Sequence, residues 1–332
     1  MKSILLKVTY ILAALMMGPL SGCNRLAKEP VRITGEAQGT YYAITYFDEK
    51  ERNFQPQLDS LFADFDQSAS VYAKESIISR FNRNDSTVVA DSIFDVIFKK
   101  SMEVSESTNG AFDITVMPLV NVWGFGFTER SKVDSAMVDS LLPLVGYKKI
   151  KLINGKLQKE NKGIMIDFNA IAQGFTCDVI GKFFEKRGIY NYLVDVGGEV
   201  LAKGNKPDGS KWNVAIEKPS PDAMSAREIQ ITVPLKNKAL ATSGSYRAYF
   251  TENGQKYSHT IDPKTGFPVH HNVLSVSVLA DDCITADAYA TAFMVIGLEK
   301  TKEFLVKRKD LKAYIIYDEN GKLRTWSSEG FL

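Results

Sequence analysis

The chain carries, at residues 284–296, the stretch ITADAYATAFMVI, which decides how its C-terminal part folds. No glycine or proline interrupts this run before Gly297, so the stretch is predicted to form a helix. The small residues on both sides of Asp287 would let a ligand or another backbone come close. A strand predicted at residues 275–279 precedes this helix, and a second helix predicted at 299–307 follows it.

The rest of the chain, working outward from that stretch, mixes helices and strands without a regular βαβ rhythm. No repeat, low-complexity segment or long linker divides residues 31–332. The pattern therefore predicts one α+β domain. Predicted helices cover 54–67, 133–145 and 170–186, with another after its cap Asp91, and the predicted strands include 164–168, 246–250 and 256–261.

Composition and charge exclude several classes of protein. The 332 residues are 45% hydrophobic and 24% charged, which is typical of a globular protein rather than a disordered or multi-span membrane protein. The net charge of +2 offers no basic excess for a phosphate backbone, so no nucleic-acid partner is expected. Three cysteines and three histidines are too few for a Cys/His zinc framework or a disulfide scaffold.

The N-terminus has the pattern of an export signal. Lys2 and Lys7 flank the start of a short apolar run from Val8 to Met17, and Leu-Ser-Gly follows at 20–22, immediately before Cys23. This arrangement resembles a bacterial lipobox and predicts a lipoprotein signal peptide at residues 1–22, a lipidated Cys23 and a tether over 23–30. The alternative is an ordinary signal peptide with an incidental cysteine. The apolar run is too short for a stable transmembrane helix.

Two other cysteines, Cys177 and Cys283, remain after removal of this leader. Each lies in a helical pattern, and the sequence does not place them close together. We predict two unpaired, buried thiols.

The motifs of several large enzyme classes are missing from the sequence. It contains no G-x-G-x-x-G, G-x-x-x-x-G-K-[ST], G-x-S-x-G or H-E-x-x-H pattern. The sequence therefore argues against four enzyme classes: nicotinamide Rossmann enzymes, P-loop NTPases, α/β-hydrolases and zincins.

Asp287 and Thr291 lie four residues apart in the predicted helix, so both side chains point to one face. A carboxylate and a hydroxyl are hard oxygen donors that suit Mg²⁺ or Ca²⁺. The structural alternative is a first-turn helix charge beside a packed threonine.

His259 lies near the end of a predicted strand, before an Asp-Pro-x-x-Gly turn. It is the natural general-base candidate, because His270 and His271 are adjacent and look like loop residues. The structural alternative is a half-buried strand histidine.

Three further segments could contact a ligand. Residues 167–175 form a strand-to-helix junction, where free N–H groups could bind an anion or where Asp167 could cap the helix. The two glycines of residues 195–199 permit either close ligand approach or a tight hairpin. Residues 110–126 are aromatic and glycine-rich, which suits a planar ligand or a packed loop.

Taken in order, these segments resemble the ApbE family, the FAD:protein FMN transferases, from about Gly39 to Gly297. The order of the markers along the chain is hard to explain by chance. They are Gly39-Thr40, Tyr72 with SRFN at 79–82, PLVNVWGFG at 118–126, DVGGE at 195–199, ATSG at 241–244, SHTIDPKTG at 258–266 and ADAYAT at 286–291.

The resemblance implies a single domain with mixed or antiparallel sheets and flanking helices. It also implies a reaction in which FAD binds with a divalent metal, usually Mg²⁺ with Ca²⁺ or Mn²⁺ possible. A Thr or Ser hydroxyl of a partner protein attacks the FMN-side phosphorus, and AMP leaves. The family's acceptors include subunits of Na⁺-pumping quinone reductases and Rnf-type complexes. The lipoprotein signal implies a lipid anchor on the periplasmic side of a bacterial membrane.

The resemblance also assigns roles to particular residues. Asp287 and Thr291 would hold the metal with the backbone carbonyl of Ala170 and a contribution from Ala290, and His259 would take the acceptor's proton. Tyr72 would lie against a ring of FAD. Further positions that match the flavin site are Gln38, Ala111, Phe112, Asp113, Asp167, Gln173 and Ile261.

The chain departs from the family's pattern in places. Gln38 replaces a common methionine, Asn169 and Ala170 replace two glycines, and Ser245 replaces a frequent aspartate. A backbone carbonyl ligand tolerates the change at Ala170. Two other functions stay open: an FAD pyrophosphatase, in which water replaces the protein hydroxyl, and a periplasmic flavin-binding lipoprotein, which needs neither the metal ligands nor His259.

Overall fold

The structure, a computed structural model, describes residues 29–127, 133–220, 228–245, 249–252 and 255–332. The predicted leader, Cys23 and most of the tether lie outside these ranges, as does the start of the strand predicted at 246–250. The described strands are β1 (Val31–Ala37), β2 (Thr40–Tyr46), β3 (Ile150–Ile153), β4 (Lys156–Lys159), β5 (Tyr192–Val196), β6 (Glu199–Lys203), β7 (Trp212–Glu217), β8 (Ile229–Leu235), β9 (Lys238–Gly244), β10 (Tyr249–Glu252), β11 (Gln255–Ser258), β12 (Val273–Ala280), β13 (Lys312–Glu319) and β14 (Lys322–Ser327). The described α-helices are α1 (Gln55–Ala69), α2 (Ile77–Asn82), α3 (Ser92–Ser107), α4 (Met117–Val122), α5 (Ser135–Leu141), α6 (Ala172–Glu185) and α7 (Cys283–Lys307).

One eight-stranded sheet organises the molecule, with the strand order β1-β2-β5-β6-β9-β12-β13-β14. Every neighbouring pair in it is antiparallel. The α+β prediction with antiparallel sheets is therefore confirmed. Three two-stranded ribbons accompany this sheet in the described residues, formed by β3–β4, β7–β8 and β10–β11.

The sheet is covered on both faces, because alternate side chains of its central strands enter two different cores. On β13, Ala313 and Ile315 join the core that includes α6 and α7, whereas Tyr314 and Ile316 join a second core on the other face. The β7–β8 ribbon supplies Trp212 and other apolar side chains to this second core. The ribbon therefore covers this face of the sheet, as α6 and α7 cover the opposite face.

Helices α6 and α7 lie against each other at a very short distance, and Gly174 permits it. A Cβ atom at Gly174 would lie 2.4 Å from the carbonyl oxygen of Cys283 and 2.7 Å from the Cβ of Asp287. Any side chain here would push α7 away from α6. Cys177 and Cys283 are both buried and unpaired at this contact, as predicted.

Two predicted helices, 284–296 and 299–307, form one element with a kink. Gly297 adopts φ 78° and ψ −178° inside α7, a left-handed φ that glycine accepts without strain. The side chain of His271 binds the carbonyl oxygen of Met294 at 2.7 Å, just before this break. The two predicted helices are therefore confirmed, and they meet at a kink at Gly297.

The strand predicted at 164–168 is wrong, although its apolar side chains are buried. The side chain of Asn82 binds both the N–H and the C=O of Ile166, at 2.8 and 2.9 Å. The N–H of Asp167 donates to the carbonyl of Ile114 at 2.8 Å. These partners replace the neighbouring strand that a sheet would provide, so the segment is buried without belonging to a sheet. The short helices α2 and α4 were not predicted from the sequence.

The N-terminus of α7 is fastened to α6 by a buried carboxylate. Asp178 accepts hydrogen bonds from the backbone N–H groups of Cys283 and Ile284, at 2.8 and 2.9 Å. Replacement of Asp178 by alanine leaves both N–H groups buried without a partner. We expect the free energy of unfolding to fall by about 2–4 kcal/mol, measured by urea denaturation.

Asp134→Ala is the matched control for this prediction, because Asp134 caps α5 at an exposed site with one bond of 2.9 Å to the N–H of Met137. An exposed cap contributes about 1 kcal/mol. Equal losses in the two variants would mean that Asp178 does not fasten α7.

Within the described part of the chain, no helix is long and apolar enough to cross a membrane.

Candidate active site

A cavity of about 620 Å³ opens between the ends of the sheet strands, α6, α7 and the β7–β8 ribbon. This volume suits a ligand of cofactor size. Most of the residues that the sequence singled out share its wall. They are Ala111, Phe112, Asp113, Asp167, Ala170, Gln173, His259, Ile261, Asp287 and Thr291.

One face of α7 forms part of the cavity wall through Asp287, Thr291 and Val295, which follow each other at single helical turns. The Oδ2 atom of Asp287 accepts a hydrogen bond of 3.0 Å from the backbone N–H of Gly174 on α6. Burial raises the pKa of Asp287 to about 7, against the effect of this hydrogen bond, and the nearby Asp178 carboxylate raises it further. Among the described residues no donor binds its Oδ1 atom, which is therefore available to a ligand.

The turn before α6 contributes Asp167 and Ala170 to the same wall, and Gln173 joins them from the first turn of α6. Asp167 does not cap the helix, because α6 begins at Ala172, two residues later than predicted. Its Oδ1 atom instead accepts the N–H of Asn169 at 2.7 Å, which tightens the turn. Burial raises the pKa of Asp167 to about 6.

His259 lies immediately after β11, which ends at Ser258 rather than at Ile261 as predicted. Its ring meets that of Phe125 edge to face, with 6.2 Å between the centroids. The loop that follows His259 is held in place by the indole N–H of Trp123, which donates to the carbonyl of Gly266 at 2.8 Å. Residues 118–126 therefore position the loop that carries the histidine, in addition to lining the cavity.

Asp113 faces the cavity but also organises the loops behind it. Its Oδ1 atom accepts hydrogen bonds from the N–H and hydroxyl of Thr115, at 2.8 and 2.6 Å, and its Oδ2 atom accepts the N–H of Tyr147 at 2.7 Å. Burial raises the pKa of Asp113 despite these bonds. Because both of its carboxylate oxygens already accept hydrogen bonds, Asp113 positions the loops around the site rather than offering an oxygen to a ligand.

Three residues of the predicted site do not line the cavity. Gln38, at the β1–β2 turn with φ 52°, donates to the hydroxyl of Thr176 at 2.7 Å, and its Oε1 atom is buried without a partner in the described structure. Tyr72 is 69% exposed, with its ring edge-on to Phe127. Ala290 is buried on another side of α7. Their predicted roles stay predictions.

The part of the cavity wall that the β7–β8 ribbon supplies was not predicted from the sequence. Val214, Ile216 and Glu217 face the cavity from β7, and Glu199 and Ser243 face it from the central sheet. Glu199 and Ser243 belong to the DVGGE and ATSG segments, which the sequence had already singled out. No local pattern marks β7, because its position depends on how the ribbon packs across the sheet.

The cavity wall is acidic. Six carboxylates line it, from Asp113, Asp167, Asp195, Glu199, Glu217 and Asp287, and within the described ranges no lysine or arginine does. Burial also raises the pKa of Asp195. The described residues contain no cluster of three or more His, Cys, Asp or Glu side chains arranged to hold a metal. A wall of this charge favours a phosphate-bearing ligand that binds together with a cation.

Comparison with known proteins places the chain in a family. The sequence model of the ApbE family matches residues 38–315. The FAD:protein FMN transferase of Vibrio cholerae is 38% identical over 298 residues, covering 87% of each chain. That of Escherichia coli K12 is 37% identical over 322 residues, covering 92% of this chain and 89% of its own. The chain belongs to the ApbE family.

Solved structures agree with this assignment. The flavin transferase ApbE of Vibrio cholerae superposes with a TM-score of 0.81 at 34% identity, covering 91% of this chain and 98% of the other. The apo form of the Pseudomonas stutzeri flavinyl transferase ApbE gives a TM-score of 0.83 at 29% identity, covering 93% and 97%. The fold is therefore that of the family's flavin transferases.

Proposed function

We propose that this protein transfers FMN from FAD to a Thr or Ser hydroxyl of a partner flavoprotein subunit and releases AMP. Family membership and the names of its relatives support this activity. The observation that carries it is the cavity, in which Asp287, Thr291 and His259 share one acidic wall without a described lysine or arginine. Such a wall suits a pyrophosphate that arrives with a divalent cation.

The residues present fit a magnesium site that the substrate completes. Asp287 offers one free carboxylate oxygen, Thr291 a hydroxyl one turn further on, and Ala170 a backbone carbonyl. Mg²⁺ commonly binds through one or two carboxylates plus substrate phosphates and water, and Ca²⁺ or Mn²⁺ accept similar ligands. The bound ion would neutralise charge on the pyrophosphate and orient it.

The protein's own groups account for the remaining chemistry. His259 accepts the proton of the acceptor hydroxyl, and the oxygen attacks the FMN-side phosphorus. A new P–O bond forms to the acceptor, the P–O bond to the bridging oxygen breaks, and AMP leaves with that oxygen. The apolar walls from Phe112, Ile261 and the β7 ribbon exclude water from this step.

An FAD pyrophosphatase would use the same site with water as the nucleophile, and a flavin-binding lipoprotein would leave FAD intact. Chromatography of the small molecules separates the three activities. With FAD, Mg²⁺ and an acceptor protein, the transferase yields AMP without free FMN. Free FMN equal to AMP, with or without acceptor, identifies the pyrophosphatase, and unchanged FAD identifies the binding protein.

The pKa of Asp287 predicts how metal affinity depends on pH. The ligand must lose its proton to bind a cation, and in the metal-free protein that proton leaves at about pH 7. In the presence of FAD, Mg²⁺ affinity should therefore fall about tenfold for each pH unit below 7 and level off above it. Calorimetric titration at several pH values measures this slope. Equal affinity at pH 6 and pH 8 would contradict the assignment of Asp287.

The setting of the reaction is also part of the proposal. The sequence Leu-Ser-Gly-Cys23 behind an apolar run supports a lipid anchor on the periplasmic side of a bacterial membrane. Subunits of Na⁺-pumping quinone reductases or Rnf-type complexes are the acceptor class that the family resemblance suggests. Loss of membrane attachment in a Cys23→Ala variant is the expected result, and attachment of a correctly processed variant would contradict it.

A further inference from the structure

Two thiols meet directly behind the wall of the cavity. Cys177 lies on α6 and Cys283 is the first residue of α7, and both side chains are completely buried. Their Sγ atoms donate to consecutive carbonyls of β6, Cys177 to Glu199 at 3.2 Å and Cys283 to Val200 at 3.6 Å. Because Glu199 and Val200 are neighbours on one strand, the two sulfur atoms lie in the same part of the core.

The helices that carry the two thiols approach each other closely at Gly174. Gly174, one turn before Cys177, lies so near α7 that a Cβ there would be 2.4 Å from the carbonyl of Cys283. A disulfide needs Cα atoms about 4.4–6.8 Å apart and sulfurs that face each other. Two thiols that bind adjacent carbonyls of one strand, on helices packed this closely, are placed to be joined with a small movement of the backbone.

We propose that Cys177 and Cys283 are an oxidisable pair that forms one disulfide between α6 and α7. The oxidant is a small external disulfide such as oxidised glutathione. One cysteine thiolate attacks it, releasing one glutathione thiolate and forming a mixed disulfide. The second cysteine thiolate then attacks the protein sulfur of that mixed disulfide and releases the second glutathione.

The burial of both thiols governs when this exchange occurs. Burial raises the pKa of Cys177 and Cys283, so neither thiol is a ready nucleophile in the closed fold. Exchange therefore takes place during folding or when the first turn of α7 opens. The link fixes that turn on α6, one helical turn before Asp287, and so holds the hydrogen bond between Gly174 and Asp287.

The proposal is tested on the full chain with Cys23→Ala, which leaves Cys177 and Cys283 as its two cysteines. One sample is refolded with reduced and oxidised glutathione, and a second with a phosphine reductant. Peptide mass spectrometry should find a cross-linked peptide containing both residues in the first sample, with no free thiol after denaturation. The oxidised protein should unfold at a temperature higher by about 5 °C or more, because the link closes a long loop.

Cys177→Ala and Cys283→Ala are the matched controls, and neither should gain stability from oxidised glutathione. Two freely alkylated thiols in the oxidised wild-type pair would overturn the proposal, as would two separate glutathione adducts. These readouts do not require flavin transfer, so their outcome is independent of the proposed function.

Discussion

Replacement of Asp287 by asparagine should abolish AMP release, with a loss on the order of 10³-fold or more. The variant keeps the size of the side chain and one oxygen that can accept the N–H of Gly174, at present 3.0 Å from Oδ2. It removes the negative charge that the proposed metal ligand supplies to a cation. The rate should be measured with FAD, Mg²⁺ and acceptor at saturating concentrations of each.

A matched control distinguishes loss of the ligand from loss of the fold. Asp281 lies on the surface before α7 and forms an ion pair with Lys238, so Asp281→Asn should keep full activity. The Asp287 variant should also lose the effect of Mg²⁺ on FAD affinity, measured by flavin fluorescence. Full activity in Asp287→Asn would mean that the carboxylate is a buried helix charge and not a metal ligand.

Replacement of His259 by alanine should separate binding from chemistry. This variant should keep the affinity for FAD and Mg²⁺, because the proposed ligands come from α7 and the turn before α6. Transfer should fall by about 10²–10⁴-fold if proton removal from the acceptor is the main loss. His270→Ala is the control, since that histidine is exposed and does not line the cavity.

The pH profile tests the base role independently. At saturating Mg²⁺ the Asp287 carboxyl is already ionised, so the rising limb of the wild-type rate should report the neutral imidazole of His259. The residual rate of the alanine variant should lose this limb. A variant with high activity and an unchanged profile would assign activation of the hydroxyl to another group.

The sequence predicted those parts of the fold that local patterns encode. The cap at Asp91 and the helix after it are present, since the Asp91 carboxylate accepts the N–H of Phe94 at 2.8 Å. The segment at 164–168 has the apolar content of a strand, but its backbone partners come from Asn82 and Ile114, far away in the chain. Partners of that kind leave no mark in the local sequence.

The candidate site also has parts that local sequence patterns predict and parts that depend on distant contacts. Asp287 and Thr291 could be found because a helix brings positions four apart to one face. Motif order suggested that His259 belonged with them, and its position on the cavity wall depends on the loop that Trp123 holds through Gly266. The β7 wall depends on packing across the sheet, and the placement of Cys177 and Cys283 in one part of the core depends on the close approach at Gly174. Neither follows from spacing along the chain.

The intact mass of an acceptor protein shows whether this chain attaches FMN to it. The acceptor is incubated with the full chain, FAD and Mg²⁺, beside samples that lack FAD or contain the Asp287→Asn variant. The account predicts that the acceptor gains one FMN as a phosphoester on a single Thr or Ser, in the complete sample alone. Release of AMP while the acceptor keeps its original mass would contradict the account and identify water as the nucleophile.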